Sequence, residues 1–341
     1  MSFVNASPYV ALDVPSWDAR GRRVVVAIVK ATYELDRQGR LVPGAEPSPV
    51  RVADERWDPE RPHGSVRYPS DVCVEKRGAD VVVVGSATSR RPVQRMDVLV
   101  RVGRGQDRER GVRGSTVEAP LVVHGERAFV WSARGVVVGP AAPFLVQPVV
   151  YERAYGGMAA DLALVEEQNP AGVGVAPRAA DLVGAPAPQI EHPGRPHLRA
   201  SDAFPPAGYG ATRSHWLPRR GFAGTFDDAW REHRMPLLPL DFDARFDNVA
   251  HPSLQLPEPL RAGAPVAILG MSEAGVLQCE LPDLHLVVHG LRDREKVTVR
   301  PQVDTLLIEP DRGRLELVAR VAFSVGRGAS SLREIRIDTD A

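Results

Sequence analysis

The feature that most constrains this chain is the alternation of short apolar, β-branched runs with glycine and proline. The 341 residues include 30 glycines and 31 prolines, which interrupt most stretches long enough to form a helix. The longest β-branched run, Arg23–Leu35, favours a strand. Short strands separated by turn residues are typical of sandwiches and barrels. We therefore predict a mainly β protein with sandwich- or barrel-like sheets and little helix.

A long middle segment interrupts the strand pattern. Residues 140–262 are rich in proline and glycine, lack regular periodicity and carry compact clusters of aromatic and charged residues. The segment is too aromatic for a disordered linker, and so long a stretch without regular elements is rarely neutral filler. We predict an N-terminal β region (1–139), an ordered loop-rich insertion that bears the motifs (140–262) and a C-terminal β region (263–341), together forming one compact unit.

The overall charge argues against two classes of partner. Lys+Arg and Asp+Glu both number 43, so the net charge is zero, and neither nucleic acid nor a membrane is expected as a partner. The N-terminal residues lack the basic and apolar regions of a signal peptide, and no run reaches the ~18 apolar residues of a membrane span. Two cysteines cannot build a disulfide framework. These features predict a soluble, cytoplasmic protein.

The familiar catalytic motifs are absent from the sequence. It contains no glycine-rich phosphate loop ending in Lys-Ser or Lys-Thr and no Gly-x-Ser-x-Gly elbow, and Cys73 is interpreted as a buried, inert thiol. Histidines 192, 197, 215, 233 and 251 fall in the middle segment. Prolines between His192 and His197 exclude a helical metal site, so a loop metal site is the alternative to ordinary polar histidines. We predict no catalytic residue, no metal and no cofactor.

Carboxylates of the middle segment lie close to arginines in the sequence. Glu152 adjoins Arg153, Asp227 precedes Arg234, and Asp243 precedes Arg245. Interleaved acids and arginines are typical of hydrogen-bonded ion networks that satisfy buried loops. The alternatives are an acid–base pair of a hydrolase and a surface that recognises a partner.

Aromatic residues alternate with arginines between Tyr209 and Trp230. This combination occurs on single-stranded nucleic-acid binders and at the hot spots of protein interfaces. The zero net charge favours the protein interface, and core packing is the remaining interpretation.

A series of motifs carries a family resemblance. They are Val29–Tyr33, Ser70–Val72, Pro143-Phe144, Gln147-Pro148, Tyr151–Gly157, Asn169-Pro170, Pro188–Glu191, Trp216–Arg219, Gly224–Trp230, Arg234–Pro239 and Asp241–Asn248. Over roughly residues 20–255 the chain resembles a bacterial family first catalogued as a domain of unknown function. Its members are encoded beside type VI secretion spike proteins and are described as effector adaptors or chaperones. The chain departs from the pattern at Arg77, at Ala79 and in the arginine-rich stretch Ser89–Arg95.

The resemblance implies a non-enzymatic adaptor. Its partners would be a secreted effector protein and a spike protein of the VgrG or PAAR type, and no catalytic residues come with the family. A hydrolase using carboxylates of residues 140–262 is the alternative. The candidates for partner binding or for a structural network are Tyr151, Glu152, Arg153, Tyr155, Asn169, Glu191, Trp216, Arg219, Asp227, Trp230, Arg234, Asp241, Asp243 and Arg245.

Overall fold

The structure, a computed structural model, consists mostly of strands. It describes residues 1–36, 38–103, 106–107, 112–113, 115–159, 163–292, 295–326 and 331–340. The strands are β1 Ser2–Asn5, β2 Val10–Trp17, β3 Arg23–Leu35, β4 Leu41–Pro43, β5 Glu55–Arg56, β6 Val66–Tyr68, β7 Ala79–Val83, β8 Ser86–Val93, β9 Arg95–Gly103, β10 Gln106–Asp107, β11 Val112–Arg113, β12 Thr116–His124, β13 Phe129–Ser132, β14 Gly135–Val138, β15 Phe144–Pro148, β16 Tyr155–Gly156, β17 Val173–Gly174, β18 Ile190–Glu191, β19 Gln255–Leu256, β20 Pro265–Leu269, β21 Val276–Glu280, β22 Leu286–Leu291, β23 Lys296–Val299, β24 Val303–Glu309, β25 Arg314–Ser324 and β26 Glu334–Thr339.

Helical structure in the described residues is short, as the glycine and proline content predicts. The α-helix α1 spans Asp228–His233. Single 3-10 turns span Tyr151–Arg153, Ala179–Leu182, Arg219–Phe222, Ala244–Asp247, Pro252–Leu254 and Pro310–Arg312. The prediction of a mainly β protein with little helix is confirmed.

Three larger sheets organise the fold. Sheet I has the order β19-β7-β24-β25-β3-β2, with β4 also pairing with β3, and its strands are antiparallel except for the parallel pair β24 and β7. Sheet II is antiparallel in the order β18-β12-β9-β20-β21. Sheet III has the order β1-β26-β22-β23. The middle segment supplies β18 to sheet II and β19 to sheet I, so its loops begin from both sheets.

The main core lies between these sheets. One continuous buried cluster joins Ala27 and Val29 of sheet I, Val100 and Val123 of sheet II, and Ile337 of sheet III. Inward-facing side chains from opposed sheets are the arrangement of a sandwich, and each larger sheet is open within the described residues. The sandwich-like prediction is thereby confirmed.

Strand β3 is buried on both faces. Its unbroken apolar run is typical of a strand in such a position. Alternate residues of a strand point to opposite sides: Ala27 and Val29 enter the main core, whereas Val26 and Ile28 pack with Val318 of β25 in a separate cluster. We call this second side the outer face of sheet I. Because it is also covered, any polar group on it must find a partner within the protein.

The outer face carries a buried ion network centred on Lys30. This fully buried ammonium lies 2.8 Å from Asp71 Oδ2 and 3.0 Å from Glu316 Oε2. Arg51 Nη1 lies 2.5 Å from the same Glu316 oxygen, and Ser48 Oγ also donates to Glu316. Burial alone would raise the pKa of Glu316. The hydrogen bonds from Arg51 and Ser48, with the charges of Lys30 and Arg51, outweigh burial and lower that pKa from 4.5 to about 2.

Two further findings concern expectations from the sequence. No helix in the described ranges is long and apolar enough to cross a membrane. Cys73 and Cys279 are both free thiols, and burial raises the pKa of Cys73 to about 11. The Cys73 thiol therefore stays protonated at neutral pH, which makes it a poor nucleophile.

We expect Glu316→Gln to destabilise the protein by about 3 kcal/mol at pH 7, because it leaves the buried Lys30 and Arg51 without their shared carboxylate. Since the folded-state pKa of Glu316 lies below its ordinary 4.5, the wild-type carboxylate stabilises the fold above pH 4.5. That stabilisation is lost as the pH falls towards 2. The difference between the two proteins should therefore shrink over this window. Urea unfolding followed by tryptophan fluorescence at several pH values measures it.

Glu118→Gln is the matched control, since Glu118 pairs with Arg101 on the surface, where their side chains are 49% and 54% exposed. Its effect should stay within about 0.5 kcal/mol. A Glu316→Gln deficit that does not change between pH 5 and pH 2.5 would contradict the role given to this carboxylate.

Candidate functional site

Asn169 ties together the loops of the Tyr151–Gly157 motif. Its fully buried side-chain amide donates to the carbonyl oxygens of Tyr151 at 2.8 Å and Tyr155 at 3.0 Å. Gly156 has a φ of 149°, and a Cβ at this position would collide with Asn169. Glycine is therefore required where these loops approach each other. Tyr151, Tyr155 and Asn169, all predicted site residues, meet in one buried arrangement.

Trp216 and Arg219 hold the next part of the loop structure. Trp216 is fully buried and packs edge-on against Tyr151, with ring centroids 5.5 Å apart. The buried Arg219 donates to the carbonyl oxygens of Phe246 at 2.9 Å and Thr212 at 2.6 Å. Both side chains are consumed by contacts within the protein, so neither presents a surface to a partner in this structure.

Glu152 and Arg153 line an open groove. Glu152 accepts hydrogen bonds from the Ser65 N–H and Oγ, both at 2.7 Å. Arg153 Nη1 donates to Gln189 Oε1 at 2.6 Å, and the same oxygen accepts from Gln147. Residues Glu152, Arg153 and Gln189 line a groove of about 640 Å³. Within this groove, Glu152 is thus already bonded to Ser65, and Arg153 is bonded to Gln189.

Glu191 is the most heavily bonded carboxylate of the middle segment. It pairs with Arg127, accepts from the His197 N–H at 2.8 Å, and its Oε2 lies 3.0 Å from His124 Nε2. Burial opposes ionisation, but the hydrogen bonds from His124 and His197 and the charge of Arg127 hold the pKa of Glu191 well below its usual range. This carboxylate stays ionised and is a structural anchor.

Residues 224–242 form a segment that we call the 224–242 lobe. It is braced by Asp227, Trp230 and Arg234. Asp227 caps helix α1 by accepting from the Trp230 N–H at 2.8 Å. Trp230 Nε1 donates to the Leu237 carbonyl at 2.8 Å. Arg234 donates to the carbonyls of Leu238 and Ala19, both at 2.8 Å. The second of these bonds fastens the lobe to the turn between β2 and β3.

Asp241, Asp243 and Arg245 complete the predicted set. Asp241 accepts from the Thr225 N–H at 3.0 Å and Oγ1 at 2.7 Å, closing the lobe between its two ends. These bonds lower the pKa of Asp241. Asp243 pairs with Arg245 through Nε at 2.9 Å and Nη2 at 2.6 Å, and that guanidinium lies over the Phe222 ring. Asp241, Asp243 and Arg245 therefore stabilise the loops to which they belong.

The lobe exposes three large apolar side chains. Phe226, Met235 and Leu240 are 55%, 61% and 84% exposed. Phe226 also packs edge-on against Trp230, with ring centroids 4.7 Å apart. The sequence analysis placed Phe226 and Met235 within motifs, and Leu240 lies between two of the motifs, but it named none of the three as a candidate. The sequence signal for them is their spacing. They stand beside prolines and acidic residues at intervals that match neither a helical nor a strand period, so no regular element would bury them.

Two histidines of the middle segment share one hydrogen-bond partner. His192 and His251 direct Nε2 at the same Pro206 carbonyl, at 3.3 and 3.2 Å, beside a cavity of about 180 Å³. Burial lowers the pKa of His251 to about 4, so its ring is neutral at pH 7. His197 instead stacks on Tyr155. Within the described residues, no three His, Cys, Asp or Glu side chains are grouped to hold a metal ion.

We expect Glu191→Gln to destabilise the fold by about 3 kcal/mol, because Arg127 would be left buried without its counter-charge. Asp243→Asn is the matched control, since its partner Arg245 is solvent-exposed, and its cost should be below about 1 kcal/mol. Urea denaturation at pH 7 measures both. Equal, small effects of the two changes would contradict the anchoring role of Glu191.

Comparisons with known proteins identify a family but not a characterised relative. No curated protein and no solved structure matches the chain. The sequence profile of one family, described as an uncharacterized protein conserved in bacteria (DUF2169), matches residues 20–320. The match extends beyond the motif region and takes in β20–β24 and most of β25. The chain therefore belongs to the DUF2169 family of bacterial proteins.

Proposed function

We propose that this protein is a non-enzymatic adaptor that binds a type VI secretion effector and helps to load it onto a VgrG- or PAAR-type spike protein. The motif resemblance suggests the secretion role. The observation that carries a binding function is the 224–242 lobe, which displays Phe226, Met235 and Leu240 to solvent on a braced loop. Large apolar side chains exposed within one short, ordered segment favour an interaction site.

The bracing favours binding because it limits the entropy that association would cost. The lobe is held by Asp227 at the start of α1, by Arg234 at the turn after β2, and by the Thr225–Asp241 bonds. A surface that is already ordered loses little conformational freedom when a partner docks. Large apolar anchors surrounded by polar residues are also the usual composition of interface hot spots.

The carboxylates give less support to the hydrolase alternative. A general acid needs a raised pKa, whereas the pKa values of Glu191, Asp241 and Asp243 are lowered by their hydrogen-bond donors. Asp247 is the exception, since burial raises its pKa to about 6. The charges of Lys76, Arg219 and Arg320 act against this rise in pKa. Asp247 therefore belongs to the buried charges of the fold, and it does not line the 640 Å³ groove.

We expect Phe226→Asp and Leu240→Asp to weaken partner binding more than tenfold without unfolding the protein, because both residues are exposed. The tagged protein would be expressed in its native bacterium with the secretion cluster active, and co-purifying effector and spike proteins would be identified by mass spectrometry. The affinity of the recovered pair would then be measured by titration calorimetry.

Leu198→Asp is the control, since Leu198 is 63% exposed but lies outside the lobe. Trp216→Ala is unsuitable because it empties a fully buried site. If no effector or spike protein is recovered with the cluster expressed, the adaptor role is wrong, and an activity screen on the carboxylates follows. If a partner is recovered but the lobe variants bind it as well as wild type, the lobe is not its site.

A further inference from the structure

Both ring nitrogens of His251 have partners that fix its protonation state. Nε2 lies 3.2 Å from the Pro206 carbonyl oxygen. That oxygen can only accept a hydrogen bond, so Nε2 carries a proton. Nδ1 lies 3.2 Å from the Ser253 backbone nitrogen, which can only donate, so Nδ1 carries none. The two hydrogen bonds are therefore compatible only with a neutral imidazole.

The Nδ1 bond caps the 3-10 turn that leads into β19. His251 directly precedes the turn Pro252–Leu254, and its side chain accepts from the Ser253 N–H. The Leu254 N–H donates in turn to the His251 carbonyl at 2.8 Å. Leu254 and Leu256 are buried in the main core. Loss of the cap would therefore loosen the chain where it enters sheet I.

His192 reaches the same carbonyl from the other large sheet. It directly follows β18 of sheet II, and its Nε2 lies 3.3 Å from the Pro206 oxygen. The centroids of the two half-buried imidazoles are 5.9 Å apart. The Pro206 carbonyl thus joins the loop that leaves sheet II to the turn that enters sheet I.

The surroundings of the two rings supply positive charge and no described carboxylate. The groups that act on them are each other and Arg195, whose charge is felt by His192. Burial and these like charges lower the pKa values of both histidines. The other polar side chains lining the adjoining cavity of about 180 Å³ are neutral: Tyr151, Gln168 and Thr212. A proton gained by either ring would therefore have no counter-charge.

We propose that His192, His251 and the Pro206 carbonyl form an acid-sensitive latch between the loop after β18 and the turn before β19. Protonation of His251 places a hydrogen on Nδ1, which can then no longer accept from the Ser253 N–H. Protonation of both rings also sets two positive charges side by side. The Nε2 bonds to Pro206 survive protonation, so the turn before β19 is the part that opens.

The latch weakens as the pH falls from 6.5 towards 4. In the open form His251 titrates at its ordinary pKa of 6.5, whereas closure lowers that pKa to about 4. Because the closed form has the lower pKa, its stabilisation is complete above pH 6.5 and is lost as the pH approaches 4. This device goes beyond the proposed function, since acid would open the turn whether or not the protein is an adaptor.

Hydrogen–deuterium exchange of the full-length protein, measured by mass spectrometry, tests the latch. We expect a peptide covering residues 250–256 to lose about tenfold in protection between pH 7.5 and pH 5, after correction for the intrinsic pH dependence of exchange. A peptide from β3 should lose none. An equal loss in β3 would mean that the whole fold opens, and an unchanged 250–256 peptide would mean that protonation does not affect the turn. Either result overturns the latch.

His251→Asn is the decisive variant, because asparagine can accept at this capping position but has no proton to gain. Its 250–256 peptide should be equally protected at both pH values. His285→Asn is the matched control and should behave as wild type, since the His285 side chain is 57% exposed and lies outside the latch. An acid loss in folded His251→Asn as large as that in wild type overturns the proposal.

His192→Gln decides the question if His251→Asn does not fold. Glutamine can still donate to the Pro206 carbonyl but removes the second charge. The acid loss of its 250–256 peptide should be smaller than that of the wild type, because His251 is then protonated without a charged neighbour. An undiminished loss in His192→Gln contradicts the latch.

Discussion

The structure depends on the burial of strand β3 from both sides. One side of β3 joins the sandwich core, but the other carries Lys30, which cannot be left in an apolar environment without counter-charges. Asp71 and Glu316 supply those charges, and the chain that precedes β7 folds over the outer face to bring Asp71 there. The same cover continues into the middle segment, because the Asn248 amide donates to the Arg77 carbonyl at 3.0 Å and to Asp80 Oδ1 at 3.1 Å. The long loops are therefore part of the fold and not an appendage.

Covering a sheet with loops instead of helices has a chemical consequence. A helix satisfies most of its own backbone groups and a strand pairs with its neighbours, whereas a buried loop needs a side chain for many of its carbonyls and N–H groups. Asn169 donates to two carbonyls, Arg219 donates to two more, and Glu152 accepts a backbone N–H. Each task requires one side chain of a particular shape and charge. Asn169, Arg219 and Glu152 thus each have a structural task that is independent of any catalytic role.

The sequence predicts those features of the fold that depend on residues close together in the chain. The run Arg23–Leu35 predicts a strand, and the density of glycine and proline predicts little helix. The interleaved acids and arginines correctly suggest paired charges at Asp243 and Arg245, two positions apart. They do not reveal that Glu191 pairs with Arg127, 64 residues before it, or that Ser48 meets Glu316. Nor can a sequence pattern tell the buried Trp216 from the half-exposed Trp230, because both indoles stand in similar aromatic, arginine-rich surroundings.

The division between buried polar motifs and exposed apolar residues bears on how this protein could act. The motif residues set the shape of the loops, while Phe226 and Leu240 in the lobe and Val146 on β15 are 55%, 84% and 58% exposed. Exposed apolar area of this kind favours aggregation unless something covers it. Under the proposed adaptor function, a partner docked on the 224–242 lobe would remove this apolar area from water.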